Sequence, residues 1–184
     1  MTNRLSNLRP RDIGFLLVGG IVAAALSGTA IAITDTKFTY TTEKTGHLSI
    51  HPMDLSPMWN FDYSIDFTGA FGIFAGGCAS TGINLPQGAK VVSLVIYYTA
   101  DDDTADNPRV FIIRNNLATD QTVRLVDIEV ADTSDTRKST TRSIPSNLST
   151  ILNGSFSYSL GVCLGTDDWF EGARITYRYK TAGD

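Results

Sequence analysis

Lys90-Val91-Val92-Ser93-Leu94-Val95-Ile96-Tyr97-Tyr98-Thr99 is the stretch that decides the fold. Its β-branched and aromatic side chains suit a pleated backbone, and apolar residues occupy both alternating faces, which predicts a central strand of a packed sheet. The polar run Asp101–Pro108 (DDDTADNP) breaks it, and Arg109–Arg114 (RVFIIR) then reads as a second strand apolar on both faces, closed by a turn at Asn115-Asn116.

Outward from this pair, strict alternation takes over. Phe38 and Tyr40 alternate with Lys37, Thr39 and Thr41, and Phe61, Tyr63, Ile65 and Phe67 with Asp62, Ser64, Asp66 and Thr68. Val126, Ile128 and Val130 turn inward against Asp127 and Glu129. Phe156, Tyr158, Leu160, Val162 and Leu164 oppose a face of Ser155, Ser157, Ser159, Gly161 and Cys163. Ile175, Tyr177 and Tyr179 alternate with Arg174, Thr176, Arg178 and Lys180, whereas Ser134–Ser143 reads only as a Ser/Thr/Arg-rich stretch ending at Ile144-Pro145. Strands recurring about every ten residues, with no long run at helical spacing, predict an all-β chain. The expected form is an antiparallel two-sheet sandwich, jelly-roll-like, with eight to ten strands.

The N-terminal residues read as an address. Arg4, Arg9 and Arg11 precede an uncharged run, Ile13–Leu26 (IGFLLVGGIVAAAL), and Ala30-Ile31-Ala32 supplies a small-x-small triplet. That is the three-part pattern of a secretory signal peptide over residues 1–32. The run is shorter than the roughly 20 residues a membrane-spanning helix needs. The remainder, 33–184, is expected to be a single domain that does not span the membrane once the leader is removed. Its destination is the periplasm, the cell surface or the medium. With the leader go Arg4, Arg9, Arg11 and Asp12, leaving 12 basic and 18 acidic side chains and a net charge of −6, of which 15 acids are Asp. Asp collects in turns rather than helices, and an acidic chain offers no surface for nucleic acid.

Cys78 and Cys163 are the only cysteines, and in an oxidising compartment a bridge between them is expected. Cys163 lies on the small polar face of its strand. Its partner segment, Ala75-Gly76-Gly77-Cys78, is therefore expected to cross that face.

Candidate sites are weighed by chemistry. His47 and His51, four apart in extended chain, stand roughly 13 Å from each other, too far to share a metal. Asp101, Asp102, Asp103 and Asp106 crowd four carboxylates into one turn, a speculative calcium site set against an ordinary solvated turn; no other cofactor is expected. Asp167, Asp168, Trp169 and Glu171 join the last two strands and place an aromatic ring beside acids, which suits sugar contact; the competing reading of such a ring is a lid over the core. Two of Asp62, Asp66, Asp167, Asp168 and Glu171 would have to converge for the alternative, a carbohydrate-active hydrolase. Trp59, within Met53–Phe61 (MDLSPMWNF), reads as a core plug. Asn147 and Asn153 each head a glycosylation sequon.

Ile83-Asn84-Leu85-Pro86-Gln87-Gly88-Ala89-Lys90-Val91-Val92, Ser49–Pro57 and Ala173–Tyr177 together resemble a group of small secreted bacterial β-sandwich proteins. In that group a Leu-Pro-x-Gly-Ala-x-Val turn opens the central strand. The resemblance implies a β-sandwich; the group has no established activity or catalytic residues, so it carries no site over onto this sequence. The function expected is that of an exported, non-enzymatic surface or binding module. Its partners would be a glycan or a cell-surface protein, with self-association into homo-oligomers as one way to protect open sheet edges.

Overall fold

A computed structural model describes residues 38–58, 63–65, 69–73, 76–100, 107–130 and 136–182. Residues 1–32, read as a leader from the sequence, and Trp59, Asp62, Asp66 and the four aspartates at 101, 102, 103 and 106 lie outside the described residues. The strands are β1 (Phe38–Ile50), β2 (Ser56–Pro57), β3 (Tyr63–Ile65), β4 (Phe71–Ile73), β5 (Gly77–Gly82), β6 (Lys90–Thr99), β7 (Arg109–Asn116), β8 (Thr122–Glu129), β9 (Lys138–Ser143), β10 (Phe156–Leu164) and β11 (Trp169–Ala182).

They form two sheets, and every pairing is antiparallel. In one sheet β11 lies between β6 and β1, and β6 is flanked on its far side by β9; β4 continues the line of β1 along β11 and carries β3. The other sheet runs β2-β5-β10-β7-β8. The eight longer strands, taken in chain order, thus interleave as first-eighth-third-sixth and second-seventh-fourth-fifth, which is the double Greek key of a jelly roll. The three shortest strands, β2, β3 and β4, sit in the connection between β1 and β5. Among the described residues they bring the total to eleven, of which the eight longer strands lie within the eight to ten that periodicity predicts.

The two sheets bury their inward alternates against each other. Leu94, Ile96, Phe170 and Ile175 come from one sheet and Val110, Ile128, Leu160 and Val162 from the other, all at 2% exposure or less. The turn before β6 carries Gly88 at φ 76°, a conformation that favours glycine. Residues 149–151 tie down the entry to β6 through hydrogen bonds Val91 N to Ser149 O (2.8 Å) and Ile151 N to Ala89 O (2.8 Å).

Three expectations are corrected. The stretch read only as Ser/Thr/Arg-rich pairs with β6 as an edge strand, β9, whose polar sequence KSTTRS keeps its open side from attracting another strand. The turn expected at Asn115-Asn116 falls later, because β7 runs to Asn116 and its amide closes the hairpin onto Gln121 O at 2.9 Å. The bridge between Cys78 and Cys163 does form, but the Cys78 segment does not cross the face of β10. It lies beside β10 in the same sheet, where Cys163 and Cys78 are directly opposite partners with Cα atoms 4.0 Å apart.

Candidate functional site

Trp169 opens β11 opposite Gly72 of β4 and Thr99 of β6. Its neighbour Phe170 is fully buried in the core. Alternation therefore puts the indole on the outer face of the sheet, where it lies half-buried across Gly72. A Cβ at Gly72 would come within 2.9 Å of the ring, so glycine is what lets the indole lie flat on the strand.

Glu171 is the extra residue of a β-bulge, between the Phe170–Tyr98 pair and the Gly172–Tyr97 pair. Gly172 carries the bulge at φ 136°. The bulge shifts the phase of β11 so that Ala173 and Ile175 turn inward after Phe170. It leaves the Glu171 carboxylate, 17% exposed, to accept a hydrogen bond from Thr99 Oγ1 (2.7 Å) and to pair with Arg137. The Arg137 guanidinium in turn stands 5.6 Å from the centroid of the Tyr97 ring. Trp169, Tyr97, Thr99, Glu171 and Arg137 thus form one patch of aromatic surface with a fixed acceptor and a largely exposed donor.

The other two residues of the predicted site separate from it. Asp168 is fully buried, and its Oδ2 accepts the Gly165 amide at 2.9 Å, closing the β10–β11 turn. It therefore presents nothing to a ligand, contrary to the expectation of a contact residue. Asp167 is exposed on that turn with φ 63°. Sequence reasoning missed Tyr97, Thr99 and Arg137, which come from distant segments; Tyr97 stands on the second apolar face of the deciding strand, the one signal that pointed there.

His47 and His51 serve local structure. His47 Nδ1 is 3.2 Å from Thr176 Oγ1 on the outer face. His51 caps the turn Pro52–Asp54, its Nδ1 accepting the Met53 amide (3.1 Å) while Asp54 Oδ2 accepts the His51 amide (3.0 Å). Among the described residues no three His, Cys, Asp or Glu side chains converge as a metal site. Of the five acids named for a hydrolase, Asp62 and Asp66 lie outside the described residues, while Asp168 and Glu171 are engaged as above. Asn147 is exposed, whereas the Asn153 side-chain amide is held by Leu85 O at 2.9 Å.

On the outer face of the other sheet, Arg109 holds Asp127 through two hydrogen bonds, Nε to Oδ1 at 2.8 Å and Nη2 to Oδ2 at 2.6 Å, and Arg124 pairs with the same carboxylate. Hydrogen bonding from Arg109 first, and then from Arg124, holds the Asp127 carboxyl below the ordinary carboxylate value against the opposing effect of burial. The Arg124 guanidinium covers the Phe111 ring, which itself lies across Gly161. A cleft of 370 Å³ opens at the sandwich edge where β2 stops short, lined by Leu48, Ile50, Asp54, Thr81 and Asn84 among others.

No family model matches the chain, and no curated protein is detectably similar to it. Among solved structures it is similar to the C-terminal family 6 carbohydrate-binding module of a marine laminarinase from Zobellia galactanivorans, at 18% identity and a TM-score of 0.44 over 71% of this chain and 99% of that one. It is also similar to a carbohydrate-binding module from Cellvibrio mixtus lichenase 5A in complex with cellotriose, at 17% identity and a TM-score of 0.41 over 70% and 95%. A third, the xylan-binding module CBM15, is 15% identical with a TM-score of 0.41 over 77% and 94%.

Proposed function

We propose that the chain is an exported, non-catalytic β-sandwich that presents a binding surface, and that the Trp169 patch contacts a glycan. The observation that carries this reading is the half-exposed indole of Trp169, flat on the sheet, beside the Glu171 carboxylate and the Arg137 guanidinium. The C–H face of a pyranose packs on such a ring, and its hydroxyls need both an acceptor and a donor at the rim. The Arg137–Glu171 pair supplies both and is already in place, so little ordering is lost on binding. Export is supported by the leader pattern of residues 1–32 and by the bridge, which oxidising compartments preserve. The wider partner class is a glycan-bearing surface, with self-association a separate property of the open edges.

The test is a glycan screen followed by titration calorimetry on the best ligand. Trp169→Ala is expected to weaken binding by about tenfold or more, the equivalent of ~1.4 kcal/mol, with Asp167→Ala close to the parent. Retention of full affinity by Trp169→Ala would remove the patch from the account.

A further inference from the structure

At the end of β11 away from Trp169, β1 and β11 pair from Ile50–Ala173 out to Phe38–Ala182. Four aromatic rings follow one another there. Phe38 meets Tyr40 at 4.8 Å between centroids, Tyr40 meets Tyr179 at 5.6 Å, and Tyr179 meets Tyr177 at 5.7 Å. Tyr177 and Tyr179 pack on the margin of the core, whereas Phe38, at 60% exposure, has no such cover. Lys44 stands 5.6 Å from the Tyr40 centroid, and the alternate positions of β11 place Arg178 and Lys180 on the opposite side of the ribbon. Against these three cations the described residues at this end set one acid, Glu43, which pairs with Arg178 at 3.8 Å. Among the described residues at this end the excess is positive, on a chain whose net charge is −4.

We infer that this pole is a docking surface for an anionic phospholipid membrane. Tyrosine rings with Lys44 on one side of the ribbon and Arg178 and Lys180 on the other, all at one pole, match the headgroup region, where tyrosines sit at the boundary and lysines reach the phosphates. Ring geometry argues against a sugar here, since the Phe38–Tyr40 and Tyr40–Tyr179 pairs are close to perpendicular, 80° and 85°, and present no common plane for stacking. A second copy would bring like charges together.

The test uses residues 33–184, which hold all eleven strands, the core and the disulfide within one compact unit, in sedimentation with vesicles of phosphatidylcholine alone or with phosphatidylglycerol at 30%. With Glu43 offsetting one of the three basic side chains, two remain in excess, and partitioning is expected to be at least ~10-fold stronger on the anionic vesicles and to fall with added salt. Phe38→Ser/Tyr40→Ser and, separately, Lys44→Gln/Lys180→Gln are each expected to reduce it about fivefold or more. Equal partitioning on both vesicles, no partitioning at all, or full partitioning by both double variants would overturn the inference. So would a vesicle-free dimer abolished by Phe38→Ser/Tyr40→Ser, which would assign the rings to a second copy. Both substituted pairs lie at the far end of β11 from Trp169, so glycan affinity reports separately on the other site.

Discussion

Gly161 has no side chain because the ring of Phe111 occupies the space one would need. A Cβ there would stand 2.3 Å from the ring's Cε2. Gly161→Ala must swing Phe111 from beneath Arg124, and we expect a loss of about 1–2 kcal/mol, read as a fall of several degrees in thermal midpoint. Gly82→Ala, on the neighbouring strand with nothing within 4 Å, serves as the comparison and should change stability by no more than about 0.5 kcal/mol. Asp127 shows how charge contributes to the same face. Its carboxyl titrates below the ordinary value in the folded state, held there chiefly by Arg109. Its contribution is therefore complete above the unfolded value of about 4 and is lost as pH falls through the lower folded value. Because its arginine partners are 40% and 46% exposed, solvent screening limits the effect to about 1 kcal/mol or less. Asp127→Asn should lower the denaturant midpoint at pH 7 and show a smaller gap from the parent at pH 3. An unchanged gap between the two pH values would place the stabilisation elsewhere.

Cys78 and Cys163 join neighbouring strands whose positions in the chain are 85 residues apart. The value of such a bridge grows with the loop that it closes. In the chain-entropy account this one is worth about 4.5 kcal/mol, so Cys78→Ser/Cys163→Ser, or reductant, should shift the denaturant midpoint sharply downward; a shift under about 1 kcal/mol would mean that the reduced chain stays compact on its own. The elements themselves were legible to different degrees. β8, β10 and the inner half of β11 declare themselves through period-two alternation, since each has one wet face. β6 and β7 read as apolar on both faces, and the second face proves to lie under Arg137 and Arg124 rather than under a third layer. β9 is silent because an edge strand with a polar sequence carries no hydrophobic period. β3 (Tyr63–Ile65) falls within the Phe61–Phe67 alternation, whereas β2 and β4 are two and three residues long, too short to show a period. Within the candidate site, Trp169 and Glu171 could be picked out by residue type. Which of two adjacent aspartates would be buried could not, since that depends on the Gly165–Asp168 turn.

Across residues 38–182 the β1–β11 ribbon runs from the Trp169 end to the Phe38–Ala182 pair. Trp169 and Ala182 are the two ends of β11, thirteen residue steps and roughly 40 Å apart if fully extended. A chain held by its lipid-facing pole would carry the Trp169 patch away from the attachment. Loss of glycan affinity in Trp169→Ala and loss of vesicle partitioning in the Phe38/Tyr40 variant should accordingly appear independently. The pairing of Phe38 with Ala182 has a mechanical side as well. Force applied through Phe38 and Ala182 acts on a single pole and opens the β1–β11 ladder rung by rung, an unzipping that yields at low load. Extension then halts when tension reaches Cys78 from one side and Cys163 from the other, because the covalent bridge carries the load past residues 79–162. Under load this part of the chain thus has a soft outer segment and a hard stop.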